Sequence, residues 1–142
     1  MVLREAAKRA ASVMAIVKEV DTLLASLDSF GPKIEKKNTT KENFGTRKIE
    51  LNGLIDLYVQ FLQKIRDDQK LKIIPPNCFE DIELERDQVH LKLEVKRIIK
   101  NITVKDFTMV SVFGQQVLDN MKRGLRNVKE GLTTVAERVA AQ

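Results

Sequence analysis

The first 27 residues space their apolar side chains alternately three and four positions apart, and no other feature constrains the fold as strongly. This alternation keeps the side chains on one stripe of an α-helix, where they form a heptad seam. We therefore predict helix 1 over about residues 2–28, followed by Gly31 and Pro32, which are helix-stopping residues. The seam positions are Leu3, Ala6, Ala10, Val13, Val17, Val20, Leu24 and Leu27.

A second seam runs through the last third of the chain, which we predict to be helical over about residues 104–140. The β-branched stretch "KNITVKDF" precedes it, and the pattern leaves open whether this segment extends the third helix or begins a fourth. The two seams can pair with each other or across the axis of a homodimer. The positions of the second seam are Val110, Phe113, Val117, Met121, Leu125, Val128, Leu132, Val135 and Val139.

Three glycines interrupt the second seam, at positions 114, 124 and 131. Each glycine weakens a helix by about 1 kcal/mol relative to alanine. We therefore expect another helix to come close at these positions.

Two more helices are predicted between the seams, helix 2 over about residues 46–70 and helix 3 over about residues 80–102. Residues 31–45 lack a period and are predicted to form a loop, and Pro75 and Pro76 separate helices 2 and 3. The core positions predicted for helix 3 are Leu84, Leu91, Val95, Ile98 and Ile102, broadened by Ile82, Val89, Leu93 and Ile99. Its polar stripe comprises Glu83, Arg86, Asp87, His90, Glu94, Arg97 and Asn101.

Composition agrees with a helical fold of one domain. Charged residues make up 32% of the 142 residues and aromatic residues only 5%, which suits long helices with charged outer faces better than a β-sandwich. We predict an all-α, antiparallel three-helix bundle with long helices, to which the C-terminal segment adds a fourth helix or an extension.

The charge pattern argues against nucleic acid and membrane as partners. The net charge is +5, but 25 basic residues are interleaved with 20 acidic ones, whereas a nucleic-acid site segregates its basic residues. No apolar run approaches the ~20 residues that a membrane span needs. A single cysteine, Cys78, cannot form an intramolecular disulfide, so we expect a reducing compartment, the cytosol or also the nucleus.

The chain has few of the residues that catalytic and metal sites require. Hydrolytic and metal sites need convergent His, Cys or carboxylate groups, and the chain has one His and one Cys. We expect neither an enzyme nor a cofactor, and we interpret His90 as a solvent-facing helix residue.

The segments "LIDLYVQFLQKI", "IIPPNCFED" and "LERDQVHLKLEVKRII" together resemble helices two and three of a BAG domain. The resemblance covers roughly residues 46–100: a helix, a Pro-containing turn, Phe and Asp, then Leu-x-Arg in an apolar helix. It implies a three-helix bundle that binds the ATPase domain of the seventy-kilodalton heat-shock chaperone and promotes ADP exchange. In that family helices two and three present a polar face to the ATPase domain, and no catalytic residue is involved.

The resemblance also implies a set of partner-binding residues. The family's first carboxylate in helix two falls on Asp56, and its arginine in helix three falls on Arg86, the strongest candidate. Its second carboxylate falls on Arg66, followed by Asp67, and a glutamine falls on Glu94. With the neighbouring stripe residues, the predicted site comprises Asp56, Arg66, Asp67, Arg86, His90, Glu94 and Arg97.

Three other interpretations stand beside this one. The stripe on helix 3 also fits a solvated face held by ion pairs within the helix. The chain also fits a scaffolding bundle that self-associates through its seams without a chaperone partner. A basic helical module on nucleic acid or an anionic membrane requires strongly salt-dependent binding.

Overall fold

The all-α fold is confirmed by the structure, a computed structural model that describes the backbone of residues 2–141 and the side chains of residues 4–141. Within this range there are four long helices and no β-strand. The C-terminal segment is a fourth helix of its own, not an extension of the third. The helices are α1 (Val2–Phe30), α2 (Phe44–Lys70), α3 (residues 81–101) and α4 (Met109–Ala140).

Helices α1 and α4 form a long antiparallel pair. Lys122 bonds to Asp28 at 2.9 Å and Lys129 to Asp21 at 2.8 Å, so residue numbers rise along one helix as they fall along the other. The seam residues buried in this pair are Ala6, Val13, Val17, Val20 and Leu27 on α1 and Val110, Val117, Met121, Leu125, Val128 and Leu132 on α4. The side chain of Leu3, the first predicted seam position, lies outside the described residues. The two seams thus pair within one chain, and neither is free to pair across a dimer axis.

The connection between α1 and α2, predicted as a loop without a period, contains two short 3-10 turns, Gly31–Ile34 and Lys36–Asn38. The side chain of Ile34 is fully buried. Helix α2 begins two residues earlier than predicted because Thr40 and Asn43 bond reciprocally. The Thr40 N–H donates to Asn43 Oδ1 at 2.7 Å, and the Asn43 N–H donates to Thr40 Oγ1 at 3.1 Å.

Helix α2 ends through its own hydrogen bonds rather than through the prolines. Lys72 adopts the left-handed conformation, with φ of 61°. Its N–H donates to the carbonyl of Gln69 at 3.1 Å, and the N–H of Ile73 donates to the carbonyl of Asp68 at 2.9 Å. These two bonds form a Schellman motif, which satisfies the last carbonyls of a helix. Pro75 and Pro76 follow the stop and begin the turn to α3.

The side chain of Asp68 near this helix end yields a prediction about pH. Asp68 is 8% exposed and has no side-chain hydrogen bond or ion pair to the described residues. Burial raises the pKa of its carboxyl above the ordinary 3.8; Lys64 opposes this, and Glu19 and Asp67 add to it. The ionised group therefore destabilises the fold above that raised pKa, and this cost disappears as the pH falls toward 3.8.

We expect Asp68→Asn to stabilise the fold at pH 7 by about 1 kcal/mol, because the amide removes a buried charge while keeping the shape. Urea unfolding at several pH values measures the effect, and the gap between variant and wild type should narrow toward pH 3.8. Asp106→Asn, at an exposed position without an ion pair, is the control. A gap that does not change with pH would contradict this explanation.

Helices α3 and α4 are separated by a short extended break. Ile102 and Thr103 have ψ angles of 119° and 171°, which suit β-branched residues and end the helical path. Lys48 on α2 fixes the end of α3, since its Nζ donates to the carbonyls of Lys100 at 2.9 Å and Ile102 at 2.7 Å. A lysine at this place also interacts favourably with the helix dipole.

The glycines of α4 mark close approaches, although only one of them faces mainly another helix. A Cβ at position 124 would overlap the hydroxyl of Tyr58 on α2. At position 114 it would overlap Ile34, in the turn after α1, and at position 131 it would press on Phe79, in the turn before α3. The prediction that another helix comes close was therefore correct at position 124 and, through Leu51 of α2, at position 114, where Ile34 is nearer; it was wrong at position 131, where the neighbour lies in a turn.

Candidate docking surface

The register of α3 differs from the prediction because the helix changes type in its middle. Asp81–Val89 is α-helical, His90–Val95 is π-helical, and Lys96–Asn101 is α-helical again. A π-helical turn accommodates an extra residue and so rotates the following residues relative to a regular α-helix. The core position that the heptad pattern assigned to Ile98 therefore belongs to Ile99, which is fully buried, whereas Ile98 is 44% exposed.

The buried side of α3 consists of one row of residues at intervals of three and four. The row is Leu84, Gln88, Leu91, Val95 and Ile99. Two residues of helix correspond to about half a turn. The residues two positions before each buried one therefore lie on the opposite, outward side of α3.

This outward side, the outer row of α3, consists of Ile82, Arg86, Val89, Leu93 and Arg97, all of which are exposed. Ile82 is 70% exposed and Leu93 is 67% exposed. The prediction that Ile82, Val89 and Leu93 broaden the core face was therefore wrong. Their spacing relative to the buried row is the signal by which the sequence could have identified them as exposed.

The outer row combines aliphatic side chains with two free cationic groups. Neither Arg86 nor Arg97 forms an ion pair with any residue that the structure describes. Arginines and apolar side chains on one exposed helix face are typical of protein-binding surfaces, where arginine is enriched among the residues that contribute most to affinity. Two of the predicted partner-binding residues thus lie together on this row.

His90 and Glu94 lie beside the outer row, and His90 is on the side that faces α4. His90 Nδ1 lies 2.9 Å from Glu94 Oε2, and both side chains are more than half exposed. The two side chains are one turn apart in the helix, so their contact matches the solvated surface face that was the alternative interpretation of the stripe. Their position next to Arg86 keeps them at the edge of the candidate surface.

Asp56 and Asp67 remain exposed on α2, where each is bonded to a neighbour. Asp56 forms an ion pair with Lys96 of α3, and Asp67 accepts a hydrogen bond from Gln63 at 3.0 Å. Asp56 and Asp67 are therefore accessible along α2, but the structure does not bring them into the outer row of α3.

Arg66, in contrast, is turned inward between α2 and α3, and its side chain is only 15% exposed. Its Nε donates to Asp81 Oδ1 at 2.7 Å and its Nη1 to Gln88 Oε1 at 2.9 Å. The bond from Arg66 lowers the pKa of the Asp81 carboxyl below its usual range. Gln88 is itself buried and donates to the carbonyl of Val59 at 3.2 Å. The position of Arg66 is that of a structural residue joining two helices.

The described part of the chain offers no cluster of His, Cys, Asp and Glu that could hold a metal ion. None of the helices described combines the length and the apolar content that a membrane span requires. The thiol of Cys78 is half-buried, and burial raises its pKa. Comparison of the chain with protein-family models, curated proteins and solved structures gave no match.

Proposed function

We propose that the chain is a protein-binding helical bundle that contacts its partner through the outer row of α3. The observation that carries this proposal is the exposure of Ile82, Val89 and Leu93 beside Arg86 and Arg97, which form no ion pair with the described residues. Aliphatic groups on the outer side of a helix gain free energy only when another surface covers them. The single His and the single Cys leave little basis for a catalytic alternative.

For the partner, we propose the ATPase domain of the seventy-kilodalton heat-shock chaperone, with acceleration of ADP release as the activity. The support is the resemblance of residues 46–100 to BAG helices two and three, together with the accessible position of Arg86. A protein that binds the open nucleotide cleft more tightly than the closed cleft shifts the equilibrium toward opening. Differential binding of this kind requires no catalytic residue.

The test is the release of labelled ADP from the purified ATPase domain. We expect the wild-type chain to accelerate release at micromolar concentrations. Arg86→Ala should lower the affinity about tenfold or more, the usual effect of losing an interface arginine, while the far-UV circular dichroism stays unchanged. Leu93→Ala should weaken binding as well, because it removes apolar area from the same row.

Arg126→Ala is the matched control, because Arg126 is also exposed and has no ion pair to the described residues. It lies on α4, two positions from Gly124 and therefore on the side of that helix away from Tyr58. Absence of any acceleration by the wild-type chain would exclude the chaperone as partner. Equal binding by Arg86→Ala and Arg126→Ala would remove Arg86 from the site.

The alternative proposal is a scaffolding bundle that self-associates. Because the α1 and α4 seams pack against each other within the chain, such a dimer would have to cover another surface, such as the outer row of α3. Sedimentation equilibrium of the wild-type chain and of Leu93→Ala separates the two proposals. A wild-type dimer that Leu93→Ala dissociates supports self-association, and a monomer at all concentrations excludes it.

A further inference from the structure

A trough between α3 and α4 has the shape and the chemistry of a small ligand site. Its floor is Tyr58 of α2, with Val117 and Met121 of α4, and its α3 wall carries Asp87 and His90. The volume is about 210 Å³, below the ~300–1,000 Å³ of pockets for drug-sized ligands. A second groove of about 290 Å³ shares Tyr58 and Asp87 and continues along Glu83.

The hydroxyl of Tyr58 is the polar group without a partner at this floor. Tyr58 is only 4% exposed, and its hydroxyl has no hydrogen bond to the residues that the structure describes. Buried tyrosine hydroxyls usually find a hydrogen-bond partner. Gly124 makes room for this hydroxyl, since a Cβ there would overlap it. Both grooves are lined by Tyr58, whose ring is buried but whose hydroxyl oxygen is not fully covered, so an unpartnered hydroxyl opens onto the space in which a ligand would lie.

The charges around the trough favour a cation. Asp87 lines the α3 wall of the trough, and Glu83 lines that of the adjoining groove. The residues that α4 contributes to the two spaces, among them Asn120 and Asn127, are all uncharged. Burial and the nearby Glu83 raise the pKa of Asp87, with His90 and Arg86 opposing them. A carboxylate whose ionised form is disfavoured by burial and by a neighbouring carboxylate is stabilised when a cation binds beside it. The chain as a whole carries a charge of +5, so this acidic wall is a local feature.

The hydrogen-bonding groups match the same ligand. Asp87, the oxygen of Tyr58 and the amide oxygen of Asn120 supply hydrogen-bond acceptors at the trough. His90 Nδ1 lies 2.9 Å from Glu94 Oε2, so this ring nitrogen is already engaged. An ammonium group has three donors and no acceptor, and it is complementary to such a set.

We propose that the Tyr58 trough binds a primary ammonium group on an apolar stem, with the stem on Val117 and Met121 and the ammonium at Tyr58 and Asp87. This ligand chemistry occurs in free alkylamines and in the lysine side chain of a peptide. The site is separate from the outer row of α3 and does not depend on the function proposed above.

The experiment is a titration of the full chain followed by NMR, with three probes that share one stem: n-pentylamine, n-pentanol and n-pentanoate. We expect saturable shifts of the Gly124 amide and the Tyr58 ring with pentylamine, weaker shifts with pentanol and none with pentanoate. Equal affinity for amine and alcohol, or no shift with the amine, would overturn the proposal. A blocked tripeptide with a central lysine, compared with its norleucine analogue, tells whether peptide lysine binds more tightly than the free amine.

Two variants locate the site. Asp87→Asn should weaken pentylamine binding about tenfold or more, because a charge-assisted hydrogen bond is lost. Tyr58→Phe should weaken it less, because one neutral acceptor is lost. Asp106→Asn removes an equal charge from an exposed position elsewhere and should leave the affinity unchanged. An effect of Asp87→Asn no larger than that of Asp106→Asn would place the amine outside the trough.

Discussion

Leu125→Ala is expected to lower the free energy of unfolding by about 3–4 kcal/mol. Leu125 is fully buried in the α1–α4 pair, and replacing a buried leucine by alanine loses the transfer free energy of its methyl groups and leaves a cavity. Because both helices are long and packed along their length, the neighbouring side chains have little freedom to close that cavity. Chemical denaturation monitored by circular dichroism measures the loss.

Leu93→Ala is the matched control, since it deletes the same atoms from a side chain that is 67% exposed. Its stability should lie within about 0.5 kcal/mol of the wild type, the usual range for surface substitutions. The effect of Leu125→Ala should also be independent of protein concentration, because the seam pairs within one chain. A destabilisation that grows on dilution would show that Leu125 packs across a subunit interface instead.

The extent of the helices followed closely from the sequence because it rests on local rules. Helix α1 was predicted to end at residue 28 and ends at Phe30, and α2 was predicted over residues 46–70 and spans Phe44–Lys70. Seam spacing, glycine and proline act within a few residues of the chain, so they can be interpreted without the fold. The separation of α3 from α4 was left open because it depends on a distant residue, Lys48, that fixes the end of α3.

The candidate surface was predictable only in its charged part. Arg86 and Arg97 were expected on an exposed stripe and are exposed. Ile82, Val89 and Leu93 were assigned to the core side, because apolar residues were counted toward a broad buried face. The π-helical stretch added to the error by moving the core position from Ile98 to Ile99, and "HLKLEV" contains no glycine or proline to announce such a turn.

Long-range bonds explain the remaining difference, the role of Arg66. Its partners Asp81 and Gln88 lie 15 and 22 positions further along the chain, on another helix. No local pattern distinguishes an arginine that faces a partner from one that joins two helices of its own chain. The resemblance placed Arg66 at a partner-binding position, whereas the geometry gives it bonds within the fold.

We expect Arg66→Ala to lower the free energy of unfolding by about 1–2 kcal/mol, chiefly because buried Gln88 loses the donor to its side-chain oxygen. Arg86→Ala, the exposed control, should leave stability nearly unchanged. The two variants should therefore differ in opposite ways. Arg66→Ala should lower stability more than Arg86→Ala does, and Arg86→Ala should lower partner binding more than Arg66→Ala does. Denaturation curves of both variants provide the first comparison, and binding at a temperature where both are folded provides the second.

The pH dependence and a double-mutant cycle test the mechanism of the Arg66 effect. Bonding to Arg66 lowers the folded-state pKa of Asp81 below 3.8, so this stabilisation is present above pH 3.8 and is lost as the pH falls through the lowered value. The gap between wild type and Arg66→Ala should therefore shrink in acid. In the Gln88→Leu background, Arg66→Ala should cost about 1 kcal/mol less, because no buried amide oxygen is then left without a donor. An equal cost in both backgrounds would show that Arg66 does not act through Gln88.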